Sequence, residues 1–107
     1  MTKTLLFVAL LVGCTQSAGE STGIQAVTCA TDSDLTWDNF GETFISENCL
    51  SCHSGKESPN LSTLAKVQAN SSKILEKAVY TDAMPEGDVL DVESRKLLGE
   101  WLACGAP

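Results

Sequence analysis

The chain has 107 residues, which is the length of one domain. Its 14 acidic residues outnumber its 7 basic ones and give a formal net charge of −7, which argues against a nucleic-acid partner because phosphate binding needs clustered Lys and Arg. Only 43% of the residues are hydrophobic and 6% are aromatic, so the core is small enough to need a disulfide, a metal or a cofactor as reinforcement.

The first 13 residues indicate a signal peptide. Lys3 precedes an unbroken apolar run over 5–12, which is too short to span a bilayer as a lasting helix. The run ends in Leu11-Val12-Gly13-Cys14, which resembles the bacterial lipobox, in which a peptidase cuts before a cysteine that becomes lipidated. We therefore assign residues 1–13 to a lipoprotein signal peptide and expect acyl chains on Cys14 to hold the protein on a membrane surface. The alternative is an ordinary cleavable signal, with Cys14 incidental.

Residues 14–30 are interpreted as a lipidated, flexible tether. The stretch from Thr15 to about Ala26 is rich in Ser, Thr, Gly, Gln and Ala, and such a chain reaches roughly 20 Å from its anchor. Thr15 follows Cys14, where many lipoproteins retained at the inner membrane carry Asp. The sequence therefore favours the outer membrane.

Export has a consequence for Cys29 and Cys104. Disulfides persist outside the cytoplasm, and these two cysteines precede and end the region of predicted helices. Pairing them would stabilise the fold by roughly 3 to 5 kcal/mol in the chain-entropy description. The alternative is two separate buried thiols.

Residues 31–107 are predicted to form an all-α domain. Thr36 is a suitable N-cap with Asp38 in the first turn, and apolar residues then recur at helical spacing up to residue 49. Polar residues 70–72 interrupt a second apolar pattern over 61–80, which predicts two short helices or one kinked helix.

The C-terminal part of the domain is predicted to hold a loop and a last helix. Pro85 and Gly87 forbid a regular helix over 81–90, and Asp91 is a suitable N-cap for the helix that follows. The expected inner face of that helix comprises Leu97, Leu98, Trp101 and Leu102.

Cys49-Leu50-Ser51-Cys52-His53 is the pattern with the clearest chemistry. Two thiols at this spacing can each form a thioether to a haem vinyl group, and the adjacent imidazole then reaches the iron. His53 is the only histidine, and Met84 is the only methionine besides Met1, so the usual pair of axial ligands has one candidate of each type. The carbonyl of Pro59 is a candidate acceptor for the second ring N–H of His53.

Three other interpretations of these residues stay open. Cys49 and Cys52 would join ligands from elsewhere in a zinc site, or form a thioredoxin-like dithiol after a strand. Met84 would be core filler, which leaves the sixth iron position open and shifts the function towards ligand binding or peroxide chemistry.

From Trp37 to Ala103 the chain resembles the small class I c-type cytochromes. The resemblance lies in the attachment motif, in Gly41 and Ile45 facing a helix that carries Trp101, and in Met84 within an Ala-Met-Pro loop. Ile45 departs from the pattern, because these cytochromes often have an aromatic residue there. The terminal segment 101–107 and Cys29 also look like cytochrome-c-like bacterial lipoproteins of myxobacterial type.

The resemblance implies three to five helices around one covalent haem, with the N- and C-terminal helices crossing. It also implies thioethers at Cys49 and Cys52 and axial ligation by His53 and Met84. The expected function is a membrane-anchored mono-haem electron carrier, not an enzyme, between periplasmic or membrane redox partners. Its acidic surface favours partners with a basic docking patch. The alternatives are a haem sensor or peroxidase-like protein with an open or displaceable sixth ligand, and a lipoprotein that receives no haem.

Overall fold

The computed structural model describes residues 19–87 and 90–107. Over these residues the fold is all-α, as predicted, and contains no β-strand; a single bridge pairs Ser21 with Thr81. The predicted signal peptide, residues 1–13, and Cys14 lie outside the described residues. In the part of the chain that the structure describes, no helix is long and apolar enough to cross a membrane.

The first helical region, α1, comprises a π-helical turn at Trp37–Gly41 and an α-helix at Glu42–Asn48. Thr36 caps it as predicted, because its side chain accepts from the Asn39 amide and the Asn39 side chain accepts from the Thr36 amide. This reciprocal capping satisfies amides that a helix start leaves without partners.

Four further helical segments follow. After a break at residue 49 the chain forms α2, Leu50–His53. The predicted interruption near residue 70 separates α3, Leu64–Ala69, from α4, which comprises Ser71–Ile74 and a π-helical turn at Leu75–Val79. The described residues 81–87 and 90 form no helix. The last helix, α5, is Val92–Ala103 and is capped by the Asp91 side chain, which accepts from the Ser94 amide at 2.7 Å.

Part of the core lies where α1 contacts α5 around Trp101. Trp101 is fully buried, and its ring lies 6.2 Å from that of Trp37 and 6.0 Å from that of Phe40, between ring centroids. Gly41 faces the same ring, and a Cβ there would overlap it. The prediction for the inner face of α5 is wrong at one position, because Leu97 remains 43% exposed. The side of α5 that faces the core carries Arg95 instead of Leu97.

Residues 19–30, the N-terminal strap, differ from the flexible tether that their composition predicted. Thr22 donates its amide to the Tyr80 carbonyl at 3.0 Å and its hydroxyl to the Val79 carbonyl at 2.6 Å. The strap is held because Ile24 and Val27 have core residues to pack against. It ends at the disulfide between Cys29 and Cys104, the pairing that the sequence predicted.

Candidate functional site

The motif from Cys49 to His53 forms one helical turn. The His53 amide donates to the Cys49 carbonyl at 2.9 Å, and the Cys52 amide donates to the same carbonyl at 3.3 Å. Cys49 precedes α2 as its N-cap and has a non-helical backbone (φ −123°, ψ −36°). Cys52 and His53 therefore follow Cys49 by one turn, at the end of this short helix.

The ring of His53 is held by the loop that follows it. Its Nδ1 lies 2.8 Å from the Pro59 carbonyl oxygen, and its own carbonyl accepts from the Leu61 amide at 2.7 Å. A carbonyl can only accept, so Nδ1 carries the hydrogen, and in the neutral ring Nε2 then keeps its lone pair. Metal-binding histidines usually make this contact with their second nitrogen. The contact predicted between His53 and Pro59 is thus confirmed.

Cys49 is a free, partly buried thiol that packs against the hydrophobic core. Burial raises its pKa from 9.0 to about 11, because an apolar environment disfavours the thiolate. At neutral pH the sulfur is therefore a protonated, weakly nucleophilic group, which is suited to a contact with an apolar molecule.

The second motif sulfur, that of Cys52, is in a different chemical state. Cys52 is partly buried and disulfide-bonded in this structure, whereas Cys49 is a thiol. The two motif sulfurs are consequently not bonded to each other, as they would be in an oxidised thioredoxin-like dithiol.

Met84 lies at the border of the same hydrophobic core as Cys49. Its amide donates to the Lys77 carbonyl at 2.8 Å, and its carbonyl accepts from Arg95 Nη1 at 2.8 Å. Both backbone polar groups of Met84 are thus fixed, which leaves only the side-chain torsions to adjust. The loop that precedes α5 therefore holds a thioether sulfur at the core's edge.

Arg95 is the residue near this loop that the sequence-based interpretation missed. Only 3% of its surface is exposed, and its guanidinium donates to backbone carbonyls near Met84. The sequence does contain a pattern that indicates this burial, because Arg95 precedes Leu98 by three positions and Leu102 by seven. This spacing places it on the buried face of α5.

The donor types present are those that a covalent haem would use. The histidine has an oriented lone pair, the methionine offers a soft sulfur, and Cys49 offers a thiol at the edge of an apolar core. Among residues 19–87 and 90–107, no group of three or more His, Cys, Asp or Glu side chains is placed to hold a metal ion. These residues therefore do not assemble the further ligands that a zinc site at the motif needs.

Comparisons with protein-family models, with curated proteins and with solved structures find no match to this chain.

Proposed function

We propose that this chain holds one covalently attached haem through Cys49 and Cys52 and carries single electrons. The observation that carries the proposal is the 2.8 Å contact between His53 Nδ1 and the Pro59 carbonyl. It fixes the ring tautomer that leaves Nε2 as the ligand nitrogen. A histidine that served only as packing would need no such constraint directly after two suitably spaced thiols.

Attachment requires both motif sulfurs to be thiols. Cys49 and Cys52 would then each hold the haem through a thioether, and because S–H would add across a vinyl double bond, no oxidant would be consumed. In an oxidising compartment a thiol reductant keeps both sulfurs as thiols before attachment. The partly buried, protonated Cys49 would supply its thiol directly.

Met84 is proposed as the second protein residue that would ligate the haem iron, with His53 as the first. When bound, the haem iron supplies one-electron redox chemistry, and a methionine ligand raises its reduction potential. With both axial positions filled, no position is left for a substrate, which favours electron transfer over catalysis. The held backbone of Met84 supports this assignment, because a ligand on a fixed loop costs little entropy to order.

The proposed setting is the cell envelope, with lipidation of Cys14 anchoring the protein to a membrane, the outer membrane being favoured. Removing residues 1–13 removes Lys3 and no acidic residue, so the mature chain is more acidic than the precursor. Its partners are proposed to be redox proteins that present a basic patch, since complementary charge accelerates encounter.

The first experiment tests attachment. The full chain is produced in an exporting bacterium with a haem-attachment system, and the denatured protein is analysed for covalent haem by mass and by haem stain. We expect a mass increase of one haem in the wild type and none in a Cys49→Ser, Cys52→Ser double variant. A wild-type chain of unmodified mass overturns the proposed function.

The second experiment tests the axial ligand. Replacing Met84 with Ala should leave haem attached and lower the reduction potential by on the order of 0.1 V, because axial ligands dominate haem potentials. Leu75→Ala is the matched control, since Leu75 also packs against the core and offers no ligand. An unchanged potential in Met84→Ala, or carbon monoxide binding to the reduced wild type, would instead favour the sensor or peroxidase-like alternative.

A further inference from the structure

We infer that Arg95 is a positioning residue that keeps Met84 on the iron against competing ligands. The inference rests on the proposed function and adds to it the group that maintains the sixth coordination position. Arginine is rarely buried to this degree, and a guanidinium away from water is tolerated only where hydrogen bonds satisfy it. What Arg95 bonds to therefore indicates what it does.

Among residues 19–87 and 90–107, the hydrogen-bond acceptors of the Arg95 guanidinium are backbone carbonyls. Nη1 donates to Ala78 at 2.7 Å, to Met84 at 2.8 Å and to Thr81 at 3.4 Å, while Nε donates to Leu90 at 3.3 Å. These bonds add no ion pair to the fold; they tie chain segments together.

The acceptors lie on both sides of the proposed ligand loop. The chain leaves α4 past Ala78, presents Met84, and returns at Leu90 before entering α5. Arg95 therefore clamps the outgoing and the returning ends of this loop to one rigid helix. The Met84 carbonyl is itself one of the clamped groups.

The clamp has a thermodynamic consequence for ligand competition. An axial methionine and an added ligand compete for one iron position, so the added ligand's apparent affinity rises with the fraction of protein in which methionine has left. A loop fixed at both ends keeps that fraction small. Lysine cannot replace arginine here, because a single ammonium lacks the separated N–H groups that reach Leu90 and Met84 simultaneously.

The test measures imidazole binding to the oxidised haem protein by absorbance. We expect Arg95→Met to bind imidazole at least tenfold more tightly than the wild type and to lose intensity in the methionine-to-iron charge-transfer band. Arg95→Lys, the variant more certain to fold, should shift in the same direction. Lys96→Met is the matched control, because the neighbouring Lys96 side chain is exposed, and it should bind imidazole as the wild type does.

A double-mutant cycle separates positioning from general loosening. In a Met84→Ala background the sixth position no longer depends on the clamp, so Arg95→Lys should leave imidazole affinity unchanged. An equal gain in both backgrounds overturns the inference, as does wild-type affinity in both Arg95 variants. A second readout does not involve ligand binding: hydrogen exchange at the Met84 amide should accelerate in Arg95→Lys and not in Lys96→Met.

Failure of the inference is distinguishable from failure of the proposed function. A wild-type chain without covalent haem overturns both. The other case is a chain that carries haem and whose reduction potential falls in Met84→Ala. If its imidazole affinity is unchanged in the Arg95 variants, only the role of Arg95 is overturned.

Discussion

At the scale of single residues, burial controls the reactivity of Cys49. In the haem-free chain its pKa of about 11, against 9.0 for an exposed thiol, means that at pH 8 the thiolate fraction is lowered about 100-fold. We expect iodoacetamide to alkylate this sulfur about 100 times more slowly in the folded chain than in guanidinium. Mass spectrometry of the Cys49 peptide measures the rate, and equal rates in the two states would contradict the burial.

The same shift predicts how stability depends on pH. The folded chain holds the Cys49 proton more tightly than the unfolded chain, so the resulting stabilisation is complete below pH 9 and is lost as pH rises towards 11. Its size is roughly 2 to 3 kcal/mol. Between pH 9 and 11 the wild type should therefore lose this much unfolding free energy in urea, and the haem-free Cys49→Ser variant should not.

The residues of the candidate site differ in how far the sequence predicts them. His53 and Pro59 are six positions apart in one loop, so a local argument sufficed for their contact. Arg95 is satisfied by carbonyls up to 17 positions away, and which backbone groups lie near a buried guanidinium follows only from the packing of α5 against α4. The helical register predicts the burial of Arg95 but not its partners.

At the scale of elements, the contact between α1 and α5 depends on the missing side chain of Gly41. A Cβ at this position would overlap the Trp101 ring, which is fully buried and stacked against Trp37. Gly41→Ala gains about 1 kcal/mol of helix propensity, but overpacking a rigid ring costs about 1 to 3 kcal/mol. We therefore expect a net loss of unfolding free energy in urea.

A control on the same helix separates the two contributions to Gly41→Ala. Thr43 is exposed, so Thr43→Ala gains helix propensity without meeting another side chain. We expect it to raise the urea midpoint slightly while Gly41→Ala lowers it. If Gly41→Ala stabilised the chain as Thr43→Ala does, the two helices would not be in the contact described.

Element boundaries were predictable because caps and breakers act locally. Thr36 and Asp91 cap their helices through residues three positions on, and the break at Asn70 coincides with the polar interruption of an apolar pattern. The strap was not predictable in this way, because Thr22 bonds to carbonyls 57 and 58 positions away. Its polar composition gave no sign that Ile24 and Val27 would reach the core.

At the scale of the whole molecule, the strap and the disulfide join the two ends of the domain. The strap lies along residues 79–83, and a Cβ at Gly19 would overlap the Ala83 backbone. From there it passes α5, where Val27 lies against Gly99, and reaches Cys104. The segment that begins nearest the proposed anchor is therefore attached beside the Met84 loop, so less chain is left to act as a flexible tether.

The disulfide is expected to be the largest single contribution to the stability of this arrangement. It joins cysteines 75 positions apart. A cross-link of that length lowers the entropy of the unfolded chain and so stabilises the fold by about 4 kcal/mol. A Cys29→Ser, Cys104→Ser double variant should lose 2 to 4 kcal/mol in urea unfolding yet keep its helical circular dichroism, since the bonds of Thr22 remain. Without the cross-link the unfolded chain is more expanded and exposes more surface, so the free energy of unfolding should also fall more steeply with urea concentration.

The control is Thr28→Ser, because Thr28 is exposed and lies next to Cys29. A double variant with the stability and slope of that control would show that the cross-link does not constrain the unfolded chain.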